Sequence, residues 1–413
     1  MTSSVTWLDH DGAAHERALE LLACFTERES LDELGIGGIR DAIADRLFPG
    51  TSTIQTRLRY MFFISWSYVA LEERQRPARV FPSELREMEV ALRNELLRTE
   101  KMGVIGRNAG ATLKRMPSAI YWSGLGVWGL RRFQGSQQEY HASVDQIYSR
   151  RASQRRRDGA EWTEEDNLGT WHPQLLALRP NGFPVGVSFA LTKDEADLII
   201  ECIQQHKPDS LLAWLALHTI TSKGKTNCEA PWQHPNFASF PQKHQNILRQ
   251  ARIFSFLHHG ATLLYNLLLA ELHEQRASTS QLTQSPPEVL AETYRNALEV
   301  WAEDPEFEDI VTWSPESFWP EVRGYGHTIR MGTRQFVEQW RDIVLRERTT
   351  VADTPQARTL IRHRECQLKG HQSRLANVRA LEQWNGNAGT GRLVFRWPTA
   401  QRFLNDLREA FAE

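Results

Sequence analysis

Apolar residues recur every three or four positions along most of the chain, which is the spacing of one face of an α-helix. The segment 36–47 shows this period and ends at a Phe-Pro-Gly break. Its apolar stripe consists of Ile36, Ile39, Ile43 and Leu47. Similar patterns continue to the end of the chain, with a short β-like piece at 393–397. The predicted fold class is therefore mainly α, multi-helical, with few short strands.

Two capping boxes predict where helices begin. Ser52 is followed three residues later by Gln55, and Thr192 in the same way by Glu195. In such a box the two residues satisfy each other's backbone N–H groups at a helix start. We therefore expect one helix from Ser52 to about Glu73 and another from Thr192.

Residues 103–133 predict a different arrangement. The pattern indicates a helix to Met116, a turn at Pro117, a second helix to Leu125 and an extended segment from Val127. Helix, turn, helix and strand is the order of a winged-helix DNA-binding unit. The alternative is a helical hairpin whose core contains Tyr121, Trp122 and Trp128.

A polar stretch divides the chain into three predicted parts. Residues 1–133 would form an N-terminal helical domain that includes the winged-helix-like unit. Residues 134–185 are rich in charge, glycine and proline, which is typical of a linker or insertion. Residues 186–413 would form a C-terminal helical domain with a basic tail region.

Composition is that of a globular protein, with 41% hydrophobic and 24% charged residues. The four cysteines form no C-x-x-C pair, and scattered cysteines fit a reducing compartment. The first residues lack the basic and apolar regions of a signal peptide. The most apolar run, 60–71, is too short to span a bilayer. We expect a cytoplasmic protein without a membrane partner.

Charge is distributed unevenly near the C-terminus. Residues 287–321 contain ten acidic side chains and one basic, whereas residues 323–402 contain fifteen basic and six acidic. Such a split can mark an end that binds a polyanion. The alternatives are that the acidic stretch docks on the basic one, or that both are solvated faces.

Known catalytic signatures are absent from the sequence. We find no Walker loop, dinucleotide fingerprint, HExxH or G-x-S-x-G motif, so no cofactor is predicted. Cys228, His234 and His244 are zinc-ligand types without a fourth ligand nearby, and no metal is predicted. Glu365 and Lys369 have the spacing of an i,i+4 ion pair; a metal-dependent nuclease would need a second carboxylate.

Two groups of residues are candidates for binding nucleic acid, because cations neutralise phosphates and release counterions. In the winged-helix reading, Ser118 and Tyr121 could reach bases. The first group is Arg107, Lys114, Arg115, Ser118, Tyr121, Arg131 and Arg132. The second group is Arg358, Arg362, Arg364, Lys369, Arg374 and Arg379.

Four blocks of sequence together resemble one bacterial and archaeal family that is classed as a domain of unknown function. They cover residues 32–66, 106–129, 258–271 and 364–397. The resemblance spans nearly the whole chain but carries no assigned catalytic residue. It implies a setting near helicase and phospholipase-D-like nuclease genes, in regions that resemble antiviral defence islands.

Three hypotheses follow. The first is a non-catalytic, nucleic-acid-associated subunit, with DNA as the expected polymer, in a bacterial DNA-processing or antiviral defence system. Its expected partners would be helicase or phospholipase-D-like nuclease subunits. The second is an adaptor or scaffold that binds protein alone. The third is an unrecognised metal-dependent nuclease that uses Glu365 and Lys369.

Overall fold

The protein was examined as a computed structural model, which describes residues 32–110, 113–157, 169–219, 227–278, 290–323 and 325–412. These residues form sixteen α-helices and no β-strand, with one isolated antiparallel bridge between Arg131 and Trp171. The predicted mainly α, multi-helical class is confirmed. The β-like piece predicted at 393–397 is wrong, because Phe395 and Arg396 adopt positive φ angles directly before a helix.

The helices in the first half of the chain are α1 (Gly37–Leu47), α2 (Tyr60–Glu73), α3 (Phe81–Thr99), α4 (Pro117–Val127), α5 (Gln137–Arg157), α6 (Gln174–Ala177), α7 (Lys193–His206) and α8 (Leu211–Thr219). Those in the second half are α9 (Gln242–Ser278), α10 (Leu290–Glu303), α11 (Phe307–Thr312), α12 (Pro315–Glu321), α13 (Met331–Arg346), α14 (Pro355–Lys369), α15 (Val378–Glu382) and α16 (Trp397–Ala410).

The chain forms two compact units, each built from two separate stretches of sequence. Unit 1 consists of Met1–Ile43 and Asn246–Leu393, and unit 2 of Ala44–Gln245 and Val394–Glu413. The division at 133 and 185 remains a sequence-based prediction. The described part of the predicted linker, residues 134–157 and 169–185, contains α5, which packs its buried Tyr140 and Val144 within unit 2.

The core of unit 2 is built around α2, which is buried along almost its whole length. The ring of Tyr68 lies 5.5 Å from Trp122, 5.2 Å from Tyr140 and 5.0 Å from Trp171, measured between centroids. Such aromatic contacts add to the stabilisation that burial provides. Because Tyr121, Trp122 and Trp128 are all buried, α4 is held as a core helix.

The winged-helix order is not confirmed for 103–133. Residues 104–110 form turns, and α4 is the one α-helix among the described residues of this segment. No strand follows α4 there, because Arg131 makes a single bridge to Trp171.

The capping box at Ser52 does not start a helix, so that prediction is wrong. Gln55 accepts a hydrogen bond from the Ser52 N–H at 2.9 Å, but α2 begins at Tyr60. The predicted helix starting at Thr192 is confirmed, with a complete box to Glu195.

The core of unit 1 is built around the long helix α9. Trp301 of α10 donates its indole N–H to the Phe256 carbonyl at 3.0 Å, and Trp340 of α13 donates to Leu257 at 2.8 Å. The Trp301 ring fills the space beside Gly260, where a Cβ atom would lie 2.4 Å from it. By length and composition α9 could cross a membrane, yet 89% of its apolar window is buried inside the protein, as expected of a core helix.

Candidate nucleic-acid interface

The α3–α4 loop of unit 2, residues 100–116, carries three of the predicted nucleic-acid-binding residues. Its first part is anchored to the core, since the Thr56 hydroxyl donates to the Gly103 carbonyl at 2.7 Å and the Ile105 N–H donates to the Tyr60 hydroxyl at 3.0 Å. Val104 and Ile105 are buried. Gly106 turns the chain with a φ of 79°, a conformation that glycine adopts without strain. The described residues after this turn lie along α3.

Two arginines of α3 bind the backbone of this second part. Arg93 donates to the Gly110 carbonyl at 2.5 Å and Arg86 donates to the Leu113 carbonyl at 3.2 Å. Between them on the helix lies Glu89, which accepts hydrogen bonds from the Ser118 N–H at 2.6 Å and the Ser118 hydroxyl at 3.1 Å. Burial raises the pKa of Glu89 to about 7, against the lowering effect of the Ser118 hydrogen bonds and the Arg86 charge.

Cations and carboxylates are oriented in opposite directions at this loop. The exposed cations are Lys101, Arg107, Lys114 and Arg115. The carboxylates of Glu89 and Glu100 instead accept from backbone N–H groups, of Ser118 at 2.6 Å and Phe189 at 2.5 Å. Glu87 is exposed on α3. The outer side of the loop is therefore basic although its sequence neighbourhood is mixed.

Ser118 and Tyr121 do not lie on this surface. Ser118 is 2% exposed and bonded to Glu89, and Tyr121 is 0% exposed. The Tyr121 hydroxyl accepts from the Thr56 N–H at 2.8 Å and donates to the Arg57 carbonyl at 2.8 Å. Both side chains are thus engaged in the core of unit 2.

Arg131 and Arg132 lie at the other end of α4, about 16 Å along the helix axis given its eleven residues. Arg131 is buried, packs over the Trp122 ring at 4.3 Å and donates to main-chain carbonyls. Arg132 is exposed, and burial together with the Arg132 charge lowers the pKa of the neighbouring His172. The predicted first group is therefore divided between two ends of one helix.

Most cations of the predicted second group are used inside unit 1. Arg358 pairs with Glu271. Arg364 is 6% exposed and donates to the Leu34 and Gly35 carbonyls and the Thr333 hydroxyl, at 2.9, 3.1 and 2.8 Å. Lys369 and Arg374 both pair with Glu33.

Arg362 and Arg379 are the exposed members of the second group. Arg362 lies on α14 and Arg379 on α15. No ion pair to a carboxylate of the described residues involves either of them. These two residues are the part of the second group that is accessible to a polyanion.

The acidic stretch is bound in part by basic residues of unit 1. Glu306 pairs with Arg392 at 2.9 Å, and Glu308 pairs with Arg348 at 2.8 Å. These contacts account for part of the charge asymmetry as an internal interaction. Glu292, Glu299 and Glu303 of α10 remain exposed.

Comparison with known proteins identifies a family and nothing closer. Residues 2–411 match the model of a family of unknown function, DUF6361. The chain belongs to the DUF6361 family. No curated protein and no solved structure matches. The family membership expected from the four sequence blocks is confirmed, and the DUF6361 match assigns no activity or site residue.

A buried network surrounds the Glu365–Lys369 pair of this DUF6361 chain. Glu365 is 0% exposed, and its carboxylate accepts from the Tyr265 hydroxyl at 3.0 Å. Three further donors are the Ser373 hydroxyl, the Arg374 N–H at 2.7 Å and the Leu375 N–H at 3.2 Å. The Lys369 Nζ lies 3.5 Å from the Glu365 carboxylate. The carboxylate is thus satisfied internally, which favours a structural role over a nuclease site.

Sequence reasoning missed the second carboxylate of this network. Glu33 lies 336 positions before Lys369, yet it pairs with Lys369 and with Arg374 and is 3.5 Å from the Tyr265 hydroxyl. No spacing rule connects residues so far apart. Its one local sign is its place beside Asp32, which caps the N-terminus of α1 through the Ile36 and Gly37 N–H groups.

Metal-ligand side chains are not grouped in the described part of the DUF6361 chain: no three His, Cys, Asp or Glu residues there could share an ion. Of the predicted zinc-ligand types, His234 Nδ1 accepts from the Asn236 N–H at 3.1 Å. Burial raises the pKa of the Cys228 thiol and lowers the pKa of His244 to about 4.

Proposed function

We propose that this protein is a non-catalytic, nucleic-acid-associated subunit that contacts the sugar–phosphate backbone of DNA through the α3–α4 loop of unit 2. The observation that carries the proposal is the opposite orientation of charge at this loop. Lys101, Arg107, Lys114 and Arg115 are exposed, while Glu89 and Glu100 bond to interior N–H groups.

Contact with phosphates, and not with bases, is the mode that this surface favours. Lysine and arginine on phosphates give sequence-independent affinity through counterion release. The two non-cationic residues that were predicted to reach bases are not on this surface. Ser118 and Tyr121 are buried. Tyr325 is the one exposed Phe, Tyr or Trp side chain among the described residues, and it belongs to unit 1.

The wider setting of the proposal is a bacterial DNA-processing or antiviral defence system in the cytoplasm. Helicase or phospholipase-D-like nuclease subunits would supply the catalytic activity. The family resemblance alone supports this part. The non-catalytic role is supported by Glu365, whose internal hydrogen bonds occupy the carboxylate that a nuclease would need.

The test is a polarisation titration of the full chain against single- and double-stranded DNA and RNA of equal length, at two salt concentrations. The variant is the double reversal Lys114→Glu with Arg115→Glu. Its matched control is Arg362→Glu with Arg379→Glu, which makes the same charge change at exposed positions of unit 1.

We expect the loop reversal to weaken DNA binding by about 100-fold and to reduce the salt slope by about two, since each lost phosphate contact removes about 0.9. The control should weaken binding far less. Equal losses in both variants would show that net charge and not the loop is responsible. Failure of the unmodified chain to bind at low salt would overturn the proposal, and tighter binding of RNA would replace DNA as the polymer.

A protein-binding adaptor is the second candidate, favoured by the exposed side of α10. Glu292, Glu299 and Glu303 are exposed there around Val300, which is 69% exposed. Exposed acidic side chains on this helix would complement the charge of a basic partner protein. Under this alternative the chain would bind no nucleic acid, and would form a stable complex with a purified helicase or nuclease subunit that Val300→Asp abolishes.

A further inference from the structure

Three side chains on one face of α3 contact the loop after the Gly106 turn and the first turn of α4. Arg86, Glu89 and Arg93 are spaced three and four residues apart, which places them on one side of a helix. Arg93 and Arg86 bind the carbonyls of Gly110 and Leu113, and Glu89 binds the first turn of α4 at Ser118. The three side chains therefore hold Gly110, Leu113 and Ser118, three successive points of the chain.

We infer that Arg86, Glu89 and Arg93 form a clamp that positions Arg107, Lys114 and Arg115 for contact with the nucleic-acid backbone. They act on the loop and not on the polymer, so they are positioning residues. The inference rests on the proposed function and adds to it the side chains that give the binding loop its shape.

The loop also makes bonds of its own after Gly106: the Gly110 N–H donates to the Gly106 carbonyl at 3.0 Å, and Arg107 donates to the Glu100 carbonyl at 2.7 Å. Its first part is anchored by Thr56 and Tyr60, but Gly106 and Gly110 both adopt positive φ angles. Glycine gives the chain more freedom to lose, and ordering each residue costs conformational entropy. A loop that is already ordered in the folded protein loses this conformational entropy during folding and not on binding. Its cations therefore bind with higher affinity.

The clamp residues lie close to the loop and contact it through groups of complementary charge. A cavity of about 10 Å³ lies between them, lined by the three clamp residues together with Val90, Ile105, Gly110, Leu113, Met116 and Pro117. That is close to the space that one water molecule needs. The Glu89 carboxylate lies at the N-terminus of α4, where the helix dipole favours an anion. The guanidinium groups meet carbonyl oxygens, which favour a cation.

Glu89 is itself held in place from a second side. The Ser118 hydroxyl, which donates to Glu89, accepts from the Gln137 amide of α5 at 2.9 Å. The same amide donates to the Tyr68 hydroxyl of α2 at 2.8 Å. The clamp is therefore connected to the core of unit 2 by continuous hydrogen bonds, and Arg86 is the charged group that faces Glu89.

The test compares Arg93→Ala with Arg98→Ala in the full chain. Both substitutions remove one positive charge from α3, but the Arg98 side chain is 75% exposed and pairs with Glu95 within its own helix. A third variant, Arg93→Lys, keeps a donor that can reach the Gly110 carbonyl. For each we would measure DNA affinity, its salt slope, and amide hydrogen exchange of residues 106–116.

We expect Arg93→Ala to weaken DNA binding by at least about tenfold and to lower the salt slope by more than one, because several loop cations lose their alignment together. The exchange of amides in 106–116 should become faster. Arg98→Ala should weaken binding by less than about threefold with unchanged exchange, as expected for one distant cation. Arg93→Lys should recover most of the affinity.

The two ideas can fail separately. If Arg93→Ala and Arg98→Ala weaken binding equally, or if exchange in 106–116 does not change, the clamp is wrong while the loop remains the binding surface. If the unmodified chain binds no DNA, the proposed function is overturned and the clamp has no role in binding, whatever the exchange measurements show.

Discussion

Two basic regions of this molecule use their charge in opposite ways. Around α14 of unit 1, four of the six predicted cations bond to carboxylates or carbonyls within the unit. In the α3–α4 loop of unit 2, Lys101, Arg107, Lys114 and Arg115 are exposed, and of these Arg107 also donates to the Glu100 carbonyl at 2.7 Å. The two regions look alike in sequence, so density of arginine and lysine does not by itself identify a binding surface.

The carboxylates make the difference. In unit 1, Glu33 and Glu271 lie where α14 and the segment after it can reach them. In unit 2, Glu89 and Glu100 accept hydrogen bonds from backbone N–H groups. A carboxylate satisfied by backbone does not neutralise a neighbouring cation through a direct pair, so the loop keeps its positive face.

The largest effect should come from removing a carboxylate of the unit 1 network. Glu365→Ala leaves the donors of Tyr265, Ser373, Arg374 and Leu375 without their acceptor. We expect a loss of about 4 kcal/mol in the free energy of unfolding, as for other broken buried ionic networks. Denaturant unfolding measures it. The exposed Glu382 of α15 is the control, and equal effects of Glu382→Ala would contradict a structural role for Glu365.

Two arginines of α14, which lie two residues apart, allow a buried and an exposed positive charge to be compared directly. Arg364→Ala removes a buried guanidinium that bonds to the Leu34 and Gly35 carbonyls, so we expect a loss of about 2–3 kcal/mol in stability. Arg362→Ala removes an exposed one and should change stability by less than about 0.5 kcal/mol. Thermal and denaturant unfolding of both variants would check this. A larger loss from Arg362→Ala would mean that the exposed cation also supports the fold.

A further prediction tests Glu89 through its titration. Its folded pKa of about 7 lies above the ordinary 4.5, so the folded state binds more protons between these values. The stability contributed by the protonated group is therefore fully present below pH 4.5 and is lost as pH rises through 7. Glu89→Gln stays neutral, and it keeps an acceptor for the Ser118 N–H.

We therefore expect Glu89→Gln to be more stable than the unmodified chain near pH 8, by at most about 3 kcal/mol, and to match it near pH 5. Thermal unfolding as a function of pH measures the difference between the two proteins. Burial lowers the pKa of His141 to about 4, which acts in the opposite direction in both proteins and so cancels in the difference. A difference that does not vary with pH would exclude Glu89 as the titrating group.

Local sequence patterns predicted helix starts correctly where contacts between neighbouring residues determine them. Thr192 and Glu195 satisfy each other's N–H groups, and the predicted helix starts there. Ser52 and Gln55 have the same pattern, but the N–H groups that follow them are bound by distant residues. The Tyr121 hydroxyl accepts from Thr56 and Arg57, and Asp406 accepts from Leu58 at 2.8 Å. These tertiary acceptors bind residues 56–58 before the helix, and α2 begins at Tyr60. No local sequence motif predicts them.

The candidate site was predictable in part for the same reason. Arg107, Lys114 and Arg115 belong to a run of sequence without acids, and the structure places them on one exposed loop. The winged-helix reading of Ser118 and Tyr121 depended on which side of α4 faces the core. Both residues are buried: Tyr121 packs against Tyr60 of α2, and Ser118 is hydrogen-bonded to Glu89 of α3. Which side of a nearly all-apolar helix faces the core cannot be read from its period.

The clamp of α3 grips the loop by carbonyl oxygens of Gly110 and Leu113, which every amino acid possesses. The attachment is therefore indifferent to the identity of the side chains that point outward. Substitution of Lys114 and Arg115 therefore leaves the bonds from α3 to the loop in place. The two positions are suited to receiving designed side chains of other chemistry on a backbone whose attachment does not change.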